Sequence, residues 1–242
     1  MKKRAIEDGG RERVCQAAMR LYAEGGLEAV TMRTIGNELG VSSMMPYRHF
    51  TSKDEIFVEI RARVFENFAN YLERAVCGGT TPLQRFVTYF YAYAGFARDA
   101  SRDYRFIFDR WPKAQYDIVL EREGKEAFSK TRSFDLQLQV TADLLDKPVE
   151  SRQVLESAHI IWQCLHGLVA LHIAKKHGFG LTIEDLLRPT IISLLKGLFP
   201  EQELTTLRRP ALAAAVGLIS SNGGDEEKKL GRRRRSKPKQ DK

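Results

Sequence analysis

TMRTIGNELGVSSMMPYRHFTSK, residues 31–53, carries the signals that decide the fold. Thr31 can cap a helix, because its hydroxyl accepts from the unpartnered N–H groups of a first turn. That helix is expected over residues 32–39, with Ile35 and Leu39 facing inward one turn apart. Gly40 ends it and lets the chain turn. Val41 plugs the turn into the core, and Ser42 caps a third helix over residues 43–49. Pro46 falls at the third or fourth position of that helix, where N–H groups lack an intrahelical partner and the loss is small. Upstream, Val14, Ala17, Ala18 and Leu21 recur at helical spacing across residues 13–23, and Gly25-Gly26 supplies a stop. Downstream, Ser52 and Glu55 form a capping-box pattern that opens a longer helix over about residues 53–76.

Two short helices about a tight turn have the form of a helix-turn-helix, which lays its second helix in a DNA groove. Ser43, Met44 and Met45 then sit on the leading turn. A methionine cannot read a base through paired hydrogen bonds, but it can pack on a thymine methyl. Tyr47, Arg48 and His49 are placed to reach phosphates, and Lys53 stands beside a helix N-terminus suited to one. Met32, Arg33 and Ser42 complete the candidate contact set. Spacing alone equally fits a helical hairpin in an ordinary all-α domain, with the Tyr, Arg and His at its surface.

The run GVSSMMPYRHFTSKDEIF resembles the helix-turn-helix signature of the TetR family of bacterial transcriptional regulators. The matching positions are Leu39-Gly40-Val41-Ser42, Tyr47-Arg48-His49-Phe50 and Lys53-Asp54. The leading AAMRLYAEGGLEAVTMRTIG is similar to the first two helices of that family, with Ile35-Gly36 where an aliphatic-alanine pair is usual. Pro46 departs from the commoner leucine. It is shared by a subset that also carries Trp-x-x-x-His-Gly, present here as Trp162 to Gly167. The segment Asp103-Tyr104-Arg105-Phe106-Ile107-Phe108 is similar to that subset too. The resemblance implies a repressor, dimeric on a palindromic site, released by a small molecule held in a C-terminal domain.

Composition bounds the rest. The chain has 242 residues and a net charge of +8. From Lys228 onward there are nine Lys or Arg and one Asp, so the remainder is neutral. The high pI is a property of the tail and says little about the folded part. Cys15, Cys77 and Cys164 have no paired spacing, which points to a reducing compartment without disulfides or a zinc site. No signal peptide is expected, and the longest apolar run, residues 211–219, is too short to span a membrane. A cytoplasmic location follows.

Thr81, Pro82 and Gln84 are a strong helix start, and an aromatic-rich helix follows over residues 83–98. Further helices are expected near residues 101–110 and 125–145. A helix over about 149–177 is apolar around most of its circumference, and another follows from about residue 184, where Pro189 should bend it. Such helices need cover on more than one side, which suggests dimerisation; in the resembled family two helices of this kind form a four-helix interface with their copies. Tyr89, Tyr93, Phe96, Phe106, Phe108, Trp111, Trp162 and His166 are candidates to line a ligand pocket, though each also fits plain core packing. His159, His166, His172 and His177 lack metal-ligand spacing, so no metal or other cofactor is expected, and His166 before Gly167 suggests close helix packing.

The expectation is therefore all-α: an N-terminal three-helix helix-turn-helix domain followed by a larger helical domain. Residues 1–56 form the DNA-binding domain and 57–200 the ligand-binding and dimerisation domain, with the helix over 53–76 as the lever between them. Residues 201–224 are an extension and 225–242 a disordered basic tail able to tether DNA without sequence preference. The partners are double-stranded DNA, a second copy and an unknown small-molecule effector, with no membrane. An enzyme is disfavoured, since no nucleophile–base pair, metal set or phosphate loop stands out. Two rival functions compete with specific DNA binding: non-specific nucleic-acid binding through the tail, and a helix-turn-helix that docks on protein.

Overall fold

A computed structural model describes residues 2–108, 112–123, 131–175 and 180–199, with side chains from residue 9 onward. Trp111, His177 and everything past residue 199, the extension and basic tail included, lie outside the described residues. The described elements are all helical: α1 (Lys2–Gly25), α2 (Met32–Glu38), α3 (Lys53–Val76), α4 (Pro82–Asp99), α5 (Ser101–Phe108), α6 (Lys113–Glu123), α7 (Arg132–Leu145), α8 (Arg152–Ile173) and α9 (Ile183–Leu198). Two short 3-10 turns add to these, Leu27–Ala29 and Pro46–Arg48. The fold class is the all-α one expected.

By their contacts the described residues group into two compact units, those up to 67 with those within 102–132, and 68–101 with those from 133 to 199. The division falls inside α3, whose apolar stripe Ile56, Ile60, Val64, Phe68, Leu72 and Val76 is buried along its whole length. In the first unit Val14, Ala17 and Ala18 of α1 and Ile35 of α2 are fully buried. Phe106 of α5 packs on Tyr22 and Phe57, with ring centroids 4.8 and 6.1 Å apart, and the Arg61 guanidinium lies 4.7 Å over its face. These contacts explain why residues 102–132 join the first unit.

The second unit is built on α4, α8 and α9, which pack on one another. Its start is the one the sequence announces: Thr81 and Gln84 satisfy each other's backbone N–H groups and Pro82 takes the first turn. The helix expected from residue 149 begins later, at Arg152, because Ser151 supplies the cap and Pro148 accepts from the Ser151 N–H in a preceding turn. Thr182 and Asp185 form the cap box of α9. Pro189 lies inside α9, and the next hydroxyl, Thr190, donates back to the Leu186 carbonyl at 2.8 Å. A Cβ at Gly167 would meet nothing within 4 Å, so the His166-Gly167 pair does not mark close helix packing within this chain. The reason is its position on the outer side of α8, away from the buried Val154, Ala158, Ile161, Leu165 and Val169. By length and composition α8 could cross a membrane.

Candidate nucleic-acid interface

Thr31 caps α2 as expected, and the cap is doubled: its hydroxyl accepts from the Thr34 N–H at 3.0 Å, while the Thr34 hydroxyl accepts from the Thr31 N–H at 2.9 Å. Gly40 takes a left-handed φ of +65°, which a glycine adopts without strain. Val41 then donates to the Gly36 carbonyl at 2.9 Å and folds the chain back on α2. Gly36 is the point of closest approach: a Cβ there would lie 2.9 Å from Ser43 Cα and 3.2 Å from the Ser42 carbonyl oxygen.

The third helix expected over residues 43–49 is instead a set of turns with one 3-10 turn, Pro46–Arg48. Ser42 does not cap it: its hydroxyl accepts from the Met44 N–H at 3.3 Å in a local turn, and Met45 stands at the N-cap position of the 3-10 turn without a side-chain cap bond. Pro46 has no N–H to return to Ser42, and its ring would crowd that carbonyl in an α-helix. Met45 therefore bonds Ser42 at three-residue spacing, and Arg48 and His49 continue that spacing to Met45 and Pro46.

The candidate contact residues separate by exposure. Arg33, Ser42, Ser43, Met44, Tyr47, Arg48 and Lys53 are exposed, with Met44 at 65% and Tyr47 at 50%. Met45 is half-buried, and Met32 is buried, so its side chain sits in the core. His49 is half-buried: its ring lies against Gly10 of α1, where a Cβ would come within 2.3 Å of it. Between residues 42 and 53 no exposed side chain is acidic.

The Ser52–Glu55 pattern is half realised. The Glu55 N–H donates to the Ser52 hydroxyl at 3.2 Å, but the Glu55 carboxylate turns to the preceding residue, accepting from the Thr51 N–H at 2.7 Å and the Thr51 hydroxyl at 3.0 Å. Its other oxygen accepts from Arg122 of α6 and lies 3.9 Å from Arg11 of α1. Arg11 in turn donates to the His49 carbonyl at 2.8 Å and stacks 4.1 Å over Phe50. Sequence reasoning singles out neither Arg11 nor Arg122. The signal within reach is Glu55, an acid fixed at a cap and therefore in need of cations.

Burial pushes the Glu55 carboxyl up, but the Thr51 hydrogen bonds and Arg122 outweigh it and hold the carboxyl below its ordinary value. A depressed folded-state pKa gives stability that is present above the unfolded value and lost as pH falls through the folded one. Glu55→Gln is thus expected to cost about 2 kcal/mol at neutral pH. The difference from the parent should shrink below about pH 4, and denaturant melts at pH 7 and pH 3.5 check it.

The described ligand-pocket candidates divide between the two units. Phe106 and Phe108 belong to the first unit, where Phe108 packs on Tyr104 and Phe65. In the second unit the Tyr89 hydroxyl donates to Gln137 at 3.0 Å, and Gln137 donates to the Ala158 carbonyl at 2.5 Å. Burial and the neighbouring Tyr93 push the Tyr89 phenol well above its ordinary range, so it remains a donor. Tyr93 approaches His166 Nδ1 at 3.4 Å, and Trp162 stacks on the His166 ring. Burial pushes His166 below its ordinary value. Phe96 closes against Phe68 and Tyr71. An open groove of about 380 Å³ lies elsewhere, along α8, lined by Leu155, Glu156, His159, Ile160 and Gln163. Among the described residues no group of three or more His, Cys, Asp or Glu could hold a metal ion.

Two family models match this chain: "Bacterial regulatory proteins, tetR family" over residues 14–60 and "Tetracyclin repressor-like, C-terminal domain" over residues 86–194. Together they cover more than half of it. A 75-residue segment, 31% of the chain, is 36% identical to the HTH-type transcriptional repressor KstR of Mycolicibacterium smegmatis, over 37% of that protein. A 106-residue segment, 44% of the chain, is 29% identical to the HTH-type transcriptional activator FasR of the same species, over 48% of it. The chain thus matches between a third and a half of the length of these curated relatives. In fold it is similar to a solved protein of unknown function from Rhodococcus sp. RHA1, with a TM-score of 0.62 at 18% identity, covering 78% of this chain and 94% of the other.

Proposed function

Because the chain belongs to the tetR family of bacterial regulatory proteins, we propose that it is a DNA-binding transcriptional regulator, a cytoplasmic repressor that binds a palindromic operator as a dimer and leaves it when a small molecule binds. The observation that carries this reading is that the exposed side chains between Ser42 and Lys53 are all cationic or neutral, with two large ones, Met44 and Tyr47, held out into solvent on a tight turn. Ser43, Met44 and Met45 would meet base edges, and Arg33, Tyr47, Arg48 and Lys53 would meet phosphates. His49 and Met32 would act from behind, holding the turn.

The apolar outer side of α8, with Leu155 at 39%, Ile160 at 42% and Leu171 at 48% exposure, supports dimerisation through α8 and α9. The effector would bind in the helical domain, and it acts only if it prefers the spacing of the two reading heads that DNA does not.

Selection of binding sites from random DNA tests the reading, using the full chain and a form with Arg232, Arg233, Arg234 and Arg235 changed to glutamine. A shared palindrome from both is the expected result. Salt-sensitive binding without preference, lost on changing the tail, would make the tail the DNA binder and end the helix-turn-helix reading. On the selected site, Lys53→Ala is expected to weaken binding on all sequences alike and to lower the salt slope by about one. Changes at Ser43 or Met44 should instead alter which sequence is preferred. Unchanged affinity of Lys53→Ala at moderate salt would remove Lys53 from the contact set.

A further inference from the structure

Helix α6 reaches the first turn of α3 from a point some sixty residues along the chain. Gln115, only 2% exposed, donates to Asp54 at 2.9 Å and accepts from Arg61 at 3.4 Å. Two turns further on, Arg122 donates to Glu55. Val119, between them on the same face, is buried. The acids that receive these bonds are neighbours in sequence, and both directly follow Lys53. Glu55 passes the constraint on, since it holds both the N–H and the hydroxyl of Thr51 in the link between the 3-10 turn and α3.

We infer that Gln115 and Arg122 are positioning residues for DNA recognition, fixing through Asp54 and Glu55 the register between the exposed turn and Lys53. The inference rests on the DNA-binding reading above and adds a point of control to it. Neither side chain needs to touch DNA. Arg122 neutralises and aims Glu55, an acid only 11% exposed whose other cation, Arg11, stands off at 3.9 Å. Gln115 aims Asp54 without neutralising it and ties it to Arg61, about two turns further along α3. A displacement of α6 removes the Gln115 and Arg122 contacts together and leaves Glu55 to Thr51 and Arg11, so the α6 face is where the reading surface can be loosened without altering a contact residue.

The test uses the full chain with Arg122→Met, Gln115→Leu and the conservative Arg122→Lys, on the selected site and on unrelated DNA. Arg122 is 40% exposed, so its substitution is tolerable to folding. The expected result for Arg122→Met is about a tenfold loss on the selected site, as follows from removing a hydrogen bond to a charged group. The ratio of selected to unrelated binding should fall, with the salt slope unchanged. Hydrogen exchange at the Thr51 amide should speed up, and Arg122→Lys should recover part of the loss. A salt slope reduced by about one, with equal loss on all DNA, would make Arg122 a phosphate contact and overturn the inference. So would an unchanged affinity and ratio in the active fraction of both α6 variants. Failure of the parent chain to select any sequence would instead count against the DNA-binding reading itself.

Discussion

Gly36→Val is expected to lower affinity for the selected DNA site about a hundredfold. The methyl that alanine would add at this position already falls 2.9 Å from Ser43 Cα and 3.1 Å from its N. Both atoms are backbone, so no rotamer change relieves the contact. The 3-10 turn must move outward or α2 must tilt, at a cost of about 1–3 kcal/mol for overpacking a close-packed site. The displaced atoms are those that carry Ser43 and Met44, so the cost appears as lost binding more than as lost folding. Titration of labelled operator, paired with a thermal melt, separates the two. An affinity within twofold of the parent would mean that the Gly36 approach does not set the position of the turn.

The second large effect lies in the other unit. Phe68 is 1% exposed, its ring edge-on to Tyr93 at 5.2 Å and tilted against Phe96 at 4.8 Å. Phe68→Ala is expected to destabilise the protein by about 3–5 kcal/mol, the usual cost of emptying a buried aromatic site. For a chain of this size the melting temperature should drop by roughly 10 °C. Calorimetry gives the number. A drop under about 2 °C would mean that Tyr93 and Phe96 close the space, and that the aromatic cluster is plastic enough to admit a ligand.

Local signals are legible in the sequence and long-range ones are not. Thr31, Gly40, Ser52 and Thr81 act within four residues of themselves, and each takes its role from its own side chain or φ. The turn around Pro46 misleads because an orphan-position proline is harmless only when a long helix follows. Here the chain leaves the helical path at Phe50, and too few bonds remain to hold an α-helix. Glu55 is recognisable as a cap residue, yet its partners, Arg122 and Arg11, come from α6 and α1, and no spacing rule connects them. The pocket candidates divide between two units, because aromatic content signals burial and not which of two cores does the burying: Phe106 and Tyr93 look alike in sequence and lie in different units.

The shortness of the Pro46 turn also limits how much information one subunit can extract from DNA. A full recognition helix offers several successive turns to the base edges. Here the exposed, neutral positions on the leading side are Ser42, Ser43 and Met44, with Tyr47 behind them. Side chains that few can discriminate about three base pairs, or roughly one sequence in sixty, against the millions of competing sites in a genome. A single head would be lost among chance matches. Two heads at a fixed separation multiply their odds and add the spacing itself as a further condition. Under the proposed function, the geometry of the pair holds more of the address than either reading surface, and an effector that alters the spacing erases most of the message at once.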